Sequence, residues 1–343
     1  MAWFNISAKT YQKPLIASFD VTYKCNLECD MCFVKGFEKF VREDEILSTG
    51  EIIEATKKIH ENYRVSHFRF LGGEPLIRHD LPEIIAAISP WATTEITTNG
   101  LLLTEKLCHE LISAGVSNIN VSIDGPKENS TVLRGHDAYE KALAGLDNLL
   151  HVKKSLNSMT PSIKLCTIVT KLNFKSIEEV MILARDKGVK WDFWPLHNIL
   201  ESTLSMYPHH LSQNTQQLML SEWEQLQFWW DYYRLKLRYT NTNPTKINFG
   251  FIRPILYPLY KLFAVFFHTS CNRVRSHLIV GPHGELFPCE YLRPVELGSI
   301  RDLGKQDIWF SPLRKAFYND SRCAKITACN ECNKRGTYRG NSL

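Results

Sequence analysis

The chain has 343 residues, 44% hydrophobic and 22% charged, and its 41 Lys and Arg against 36 Asp and Glu leave a net charge of +5. At roughly 150 residues per domain this allows one large domain with an appendage, or two domains, and it excludes a disordered or peptide-sized chain. The basic residues are interspersed with acids, which makes no case for nucleic acid.

The longest apolar stretch, residues 254–267, is interrupted by two prolines and Lys261 and falls short of the roughly 20 apolar residues of a membrane span. Residues 1–10 lack the basic start and apolar run of a signal peptide. A soluble, cytoplasmic protein without a membrane partner is expected.

From residue 15 to about residue 195, short β-rich runs alternate with amphipathic helical runs. This is the rhythm of repeated βα units around a parallel sheet. Strands are predicted at residues 15–22, 67–71, 95–98, 119–123, 164–169 and 191–194, too few for a closed eight-fold barrel. Ser48 with Glu51, and Ser176 with Glu179, have capping-box spacing. Gly115 and Gly188 sit where left-handed caps would end the third and fifth helices. Residues 212–239 read as a long helix, with Leu218, Trp223, Leu226 and Trp230 spaced to pack into a core; lining a substrate cavity is their alternative use. A segment rich in proline and aromatic residues follows at 241–267. Gly281-Pro282-His283-Gly284 then turns a hairpin between two apolar runs over residues 278–286. The resulting division is residues 1–200, a connecting helical and aromatic segment 201–270, and a cysteine-rich part 271–343.

The ten cysteines fall into three sets: Cys25, Cys29 and Cys32; Cys108 and Cys166; and Cys271, Cys289, Cys323, Cys329 and Cys332. In a reducing cytoplasm such clusters indicate metal sites before disulfides. Three thiolates on the Cys25–Cys32 loop can hold three irons of a cubane cluster and leave the fourth iron open. A zinc loop awaiting a distant fourth ligand is the alternative. Cys108, in a predicted helix, and Cys166, in a predicted strand, read as small core residues.

The CxxxCxxC loop after the first strand, with Leu71-Gly72-Gly73-Glu74-Pro75 after the second, resembles the signature of the radical S-adenosylmethionine (SAM) enzymes. The resemblance implies an α/β fold, a partial (β/α)6 TIM-like barrel, over residues 15–195. It implies that Cys25, Cys29 and Cys32 hold a 4Fe-4S cluster and that Gly72, Gly73, Glu74 and Pro75 hold the methionine amino group of SAM. Thr98 and Asn99 would line the pocket, with Ser122 and Asp124 at the end of the fourth strand. Arg134 would pair with the SAM carboxylate, for which its planar fork is suited. Val169 and Trp194 would approach the adenine. The residue before the last loop cysteine is usually aromatic in this family; here it is Met31, with Phe33 following. The implied chemistry is reductive cleavage of SAM to a 5'-deoxyadenosyl radical that takes a hydrogen atom from the substrate. A flavodoxin or ferredoxin-type reductant is implied as a partner.

Cys271, Cys289, Cys329 and Cys332 could make a zinc knot or a second iron–sulfur cluster. Their order resembles the twitch and SPASM extensions of radical SAM enzymes, which implies a C-terminal extension holding an auxiliary 4Fe-4S cluster. Five cysteines beyond residue 270 favour one such cluster. Cys323 is then the spare: a core thiol, a substitute ligand, or the hydrogen donor that an epimerisation needs. His197 is the candidate substrate-contacting base. The expected function is a radical SAM oxidoreductase acting on a small natural-product-like substrate (sugar, aminocyclitol or nucleoside), by dehydrogenation or epimerisation. Residues 1–14 are too short for a leader-peptide-binding domain, yet a separate protein can supply one, so a peptide maturase is the alternative. A zinc-stabilised interaction protein is the alternative of another class.

Overall fold

The computed structural model describes residues 13–35, 37, 42, 45–196, 217–239, 274, 276–290, 292–293 and 295–322. Six βα units occupy the first part: β1 (Ile16–Thr22), α1 (Thr49–Tyr63), β2 (His67–Gly72), α2 (Leu81–Ile88), β3 (Thr93–Thr98), α3 (Glu105–Ser113), β4 (Asn118–Ser122), α4 (Lys127–Arg134), α5 (Ala138–Ser155), β5 (Ser162–Val169), α6 (Ile177–Asp186) and β6 (Lys190–Pro195). Then come α7 (Glu222–Tyr239), β7 (His277–Val280), β8 (Leu286–Phe287) and α8 (Pro312–Arg322). The sheet runs in the order β6-β5-β4-β3-β2-β1-β7-β8. The strands β1 to β6 pair in parallel, so the six predicted strands form the expected α/β layer.

The hairpin is not a separate appendage. Strand β7 pairs in parallel with β1, Ile16 opposite His277 and Phe19 opposite Val280, and β8 pairs antiparallel to β7. An open parallel sheet would leave the backbone groups of β1 unpaired along one edge. The hairpin supplies those partners.

Alternation along each strand divides the molecule into two surfaces. Ala17, Phe19 and Val21 of β1, Phe68 and Phe70 of β2, Ile96 of β3 and Leu165 of β5 join the helix-side core with Ile52, Ile59, Ile84, Ile85 and Leu111. The opposite face carries Ser18 and Asp20, His67 and Arg69, Glu95, Asn118 and Asn120, Lys164 and Cys166, and Asp192. In β5 every residue of that face keeps some exposure while its neighbours are buried. This polar face lines the hollow of the barrel.

The capping box at Ser48 forms, with Ser48 and Glu51 exchanging backbone hydrogen bonds. The one expected at Ser176 does not, because that hydroxyl lies against Asn129. Gly115 and Gly188 adopt positive φ as expected. Gly188, however, follows the sixth helix, since Gly135, at φ 102°, splits the stretch between β4 and β5 into α4 and α5. The phase of α7 also differs from expectation. Trp223 and Trp230 are 77% and 59% exposed, whereas Phe228 and Leu235 are buried. Apolar residues surround this helix, so spacing alone does not select the packed face.

Helix α5 crosses the loop after β3 at Gly145, where a Cβ would overlap the Gly100 carbonyl oxygen. Gly145→Ala should therefore lower stability by about 1–3 kcal/mol, read as a lower urea midpoint with unchanged slope.

Candidate functional site

The C-terminal ends of β1, β2 and β3 are bound into one unit. Gly73 N–H donates to the Thr22 carbonyl and Glu74 N–H to the Lys24 carbonyl, each at 2.8 Å. A Cβ at Gly73 would overlap the carbonyls of Lys24 and Tyr23, and one at Gly72, which has φ 130°, would overlap that of Thr22. Two glycines in succession are what let this loop lie directly on the backbone entering Cys25.

Glu74 is 1% exposed. Its carboxylate accepts from the Thr98 hydroxyl at 2.7 Å, Asn99 N–H at 2.8 Å and Leu76 N–H at 3.1 Å. Pro75 opens the short 3-10 turn Pro75–Ile77 that brings Leu76 N–H into place. Burial raises the Glu74 carboxyl above its ordinary range, and these donors together with Arg134 oppose the shift. Three bonds leave about one acceptor position open on this carboxylate.

Cys25 is exposed, Cys32 partly exposed and Cys29 buried. Asn99 Nδ2 donates to Asn26 Oδ1 at 2.7 Å and lies 3.9 Å from Cys25 Sγ. Burial pushes the Cys29 thiol up to about 11, partly offset by the Arg134 guanidinium. On the other side, Asp30 N–H donates to the Leu133 carbonyl of α4. Arg134 ends that helix and its Nε donates to Asp124 Oδ2 at 2.7 Å. Asp124, fully buried, also accepts from Ile168 N–H at 2.7 Å. Arg134 stays protonated: burial opposes the charge, and Asp124 and the neighbouring cysteines outweigh it.

Met31 is buried with Cys29 and Leu133, and Cys32, Ile168 and Leu218 pack against them. Phe33 lies on the other side of the loop, packed on Tyr23, Val34 and Phe37 and 5.3 Å from the Arg293 guanidinium. Val169 does not face this pocket. It is fully buried in the helix-side core, because alternation along β5 turns Ile168 inward in its place. Ser122 and Trp194 are partly exposed at the ends of β4 and β6, with Trp194 opposite Ile168. Cys289 is partly exposed two residues beyond β8. His197, Cys271, Cys323, Cys329 and Cys332 lie outside the described residues.

Cys108 is a core residue, as expected. Cys166 is not: its side chain is on the hollow-facing side of β5, partly exposed. The charged groups of that face are also new. Arg69 pairs with Glu95 at 2.8 Å and Glu290 at 3.5 Å, Lys164 with Asp192 at 3.6 Å, and Asp20 with Arg293. A signal was present in the sequence. Parallel strands covered on both faces are continuously apolar, whereas these strands place polar residues at many of their alternate positions, such as Ser18 and Asp20, His67 and Arg69, and Asn118 and Asn120.

Among the described residues no three His, Cys, Asp or Glu side chains converge as a single metal ion would require. A cubane cluster asks for something different, since each thiolate takes a separate iron. Cys25, Cys29 and Cys32 are near enough to influence one another electrostatically, and their all-sulfur donor set fits such a cluster.

Residues 19–184 match the family model of the radical SAM superfamily, and residues 271–333 that of the SPASM iron–sulfur cluster-binding domain. The chain is 32% identical over 180 residues to molybdenum cofactor biosynthesis protein 1 of Dictyostelium discoideum, covering 50% of this chain and 27% of that one. It is 32% identical over 172 residues to a probable GTP 3',8-cyclase of Methanocaldococcus jannaschii, covering 49% and 54%. It thus spans about half or less of the length of these relatives. Native anSMEcpe with bound AdoMet superposes with a TM-score of 0.64 at 18% identity, over 96% of this chain and 93% of that one. Streptococcus suis SuiB bound to S-adenosylmethionine gives 0.62 at 16%, over 92% and 68%. At these identities the likeness is one of fold.

The seat of Gly73 on the cysteine loop is open to a direct check. Gly73→Ala should displace that loop and lower the iron bound after anaerobic reconstitution, while Gly50→Ala, with nothing within 4 Å of its Cβ, should leave iron content unchanged.

Proposed function

Because the chain belongs to the radical SAM superfamily and carries a SPASM domain, we propose that it is an oxidoreductase or isomerase acting on a small, polar, natural-product-like substrate seated in the barrel hollow. A sugar, an aminocyclitol or a nucleoside fits this description. The observation that supports it is the hollow-facing side of the sheet, where Arg69, Glu95, Lys164 and Asp192 stand in pairs. Such a lining offers hydrogen bonds to a hydroxylated or amine-bearing molecule and penalises an apolar one.

In this reading Cys25, Cys29 and Cys32 hold the first 4Fe-4S cluster, and Cys271, Cys289, Cys329 and Cys332 hold the auxiliary one, with Cys323 unligated. When bound, the first cluster and SAM supply the 5'-deoxyadenosyl radical that abstracts hydrogen from the substrate. The chain's own residues orient and shield. Glu74 keeps one acceptor position for an ammonium group, held in place by Thr98 and Asn99. Arg134, fixed by Asp124, brings positive charge beside the cysteine loop, where it favours thiolates and a ligand carboxylate. Met31, Ile168 and Leu133 make the apolar wall around the buried Cys29. The functional division follows the same lines, with a barrel over residues 1–200, a connecting segment over 201–270 and an auxiliary-cluster region over 271–343.

A peptide substrate is the second reading, because a protein of this fold, SuiB, has been solved with its precursor peptide SuiA. Deuterium traced from labelled candidate substrates into 5'-deoxyadenosine separates the two.

Anaerobic reconstitution tests the proposal as a whole. We expect roughly eight irons per chain, a reduced-cluster paramagnetic signal altered by SAM, and 5'-deoxyadenosine under dithionite. Replacing Cys25, Cys29 and Cys32 together with Ala should remove about half of the iron and all of the 5'-deoxyadenosine. A colourless protein that holds zinc overturns the reading.

A further inference from the structure

The one thiol inside the hollow among the described residues, outside the cysteine loop and the extension, has surroundings that a core cysteine lacks. Cys166 lies opposite Ser122 on β4 and Asp192 on β6, and its carbonyl accepts from Ile123 N–H. Ile168, two residues along the same face, packs against the cluster of Cys29, Met31 and Leu133. Cys166 is therefore about 7 Å along the strand from the wall of the cysteine pocket, one pleat deeper into the hollow. Asp192, Lys164, Glu95 and Arg69, from four strands, all act electrostatically on it.

A second observation points to a polar ligand in this hollow. Ser18, on the hollow-facing side of β1 and opposite Arg69, is 1% exposed, yet its hydroxyl has no hydrogen-bond partner among the described residues. The Arg293 Nε, beside Asp20 on the same side, is likewise without one. Buried donors left without a partner are unfavourable, and an oxygen-bearing substrate in the hollow would satisfy them.

We propose that Cys166 is a hydrogen-atom donor to a substrate radical formed in this hollow, so that the reaction inverts a carbon centre without net oxidation. The proposal rests on the radical SAM reading above and deepens it. Burial raises the thiol to about 12, with Asp192 adding to the shift and Lys164 opposing it. The sulfur thus keeps its hydrogen at neutral pH, and an S–H bond is weaker than the C–H bond it would form. Transfer breaks the Cys166 S–H bond, forms a C–H bond at the substrate carbon that had lost its hydrogen, and leaves the unpaired electron on sulfur. One electron from a low-potential one-electron donor, the class that also reduces the first cluster, and one proton passed by Asp192 restore the thiol. The Asp192 carboxyl suits that task, because burial raises it above its ordinary range against the pull of Lys164.

Two measurements on the cluster-loaded protein test this. Iodoacetamide labelling resolved by peptide mass spectrometry compares Cys166 with Cys108, which is 0% exposed. Cys166 should label about tenfold faster and accelerate with pH; labelling as slow as that of Cys108 overturns the proposal. In the second, the enzyme turns over SAM in D2O with dithionite and no added substrate, so that the exchanged Cys166 S–D quenches the 5'-deoxyadenosyl radical. The monodeuterated fraction of 5'-deoxyadenosine should fall severalfold in Cys166→Ala and in Cys166→Ser. An unchanged fraction sinks the donor role and leaves the radical reading standing, whereas no 5'-deoxyadenosine from the wild type sinks both.

Discussion

The buried Glu74 carboxylate is the constraint on which the site depends. A carboxylate taken out of water costs several kcal/mol unless hydrogen bonds replace its hydration. Here the replacement comes from Leu76 on its own turn and from Thr98 and Asn99 at the end of β3, while its N–H reaches the Lys24 carbonyl just before Cys25. One residue thereby fixes the end of β2, the end of β3 and the entrance to the cysteine loop relative to one another. Neutralising or shortening it would release all three at once, so its structural and chemical duties cannot be separated in this fold.

Arg134 and Asp124 perform the matching task on the other side of the loop. Asp124 holds the guanidinium and also the backbone of Ile168, and Asn173 Nδ2 donates to the carbonyls of Asp124 and Ile168. The positive charge is thus anchored to β4 and β5 through Asp124, which is itself held between them. Held this way, it pays little reorganisation when an anionic ligand arrives. The pocket is bracketed by an anchored carboxylate and an anchored guanidinium, the two charges that a zwitterionic amino acid end group requires.

The strands and the cysteine loop were legible in the sequence because their signals are local. A run such as Ser18 to Thr22 ending in Cys25 shows both the strand and the ligands within one short window, and Gly72-Gly73 announces a close backbone approach that the structure contains. The errors arose where a residue's role depends on which face it occupies. Val169 and Ile168 are both aliphatic, and only the phase of the alternation along β5 decides that Ile168 packs on the cluster of Cys29, Met31 and Leu133. Cys166 reads as core for the same reason, since small apolar residues are common in parallel strands and its neighbours Leu165 and Ile168 supply no contrast. In α7 the abundance of aromatic residues hid the packed face, which Phe228 and Leu235 occupy.

The pairing of β7 on β1 has the widest consequence for function. It makes β8, which Cys289 follows, and β1, which leads into the cysteine loop, strands of one continuous sheet. Arg293 tightens the connection, with its guanidinium paired to Asp20 and 5.4 Å and 5.3 Å from the Tyr23 and Phe33 rings. Sheet spacing is set by backbone hydrogen bonds and changes little. The depth of the hollow beneath the cysteine loop is accordingly fixed by the fold, and a substrate must fit that depth by its own size and polarity. In the reaction proposed for Cys166, the substrate's oxygens would reach Ser18 and Arg293 at one end of the hollow while its reacting carbon lies near Cys166 at the other.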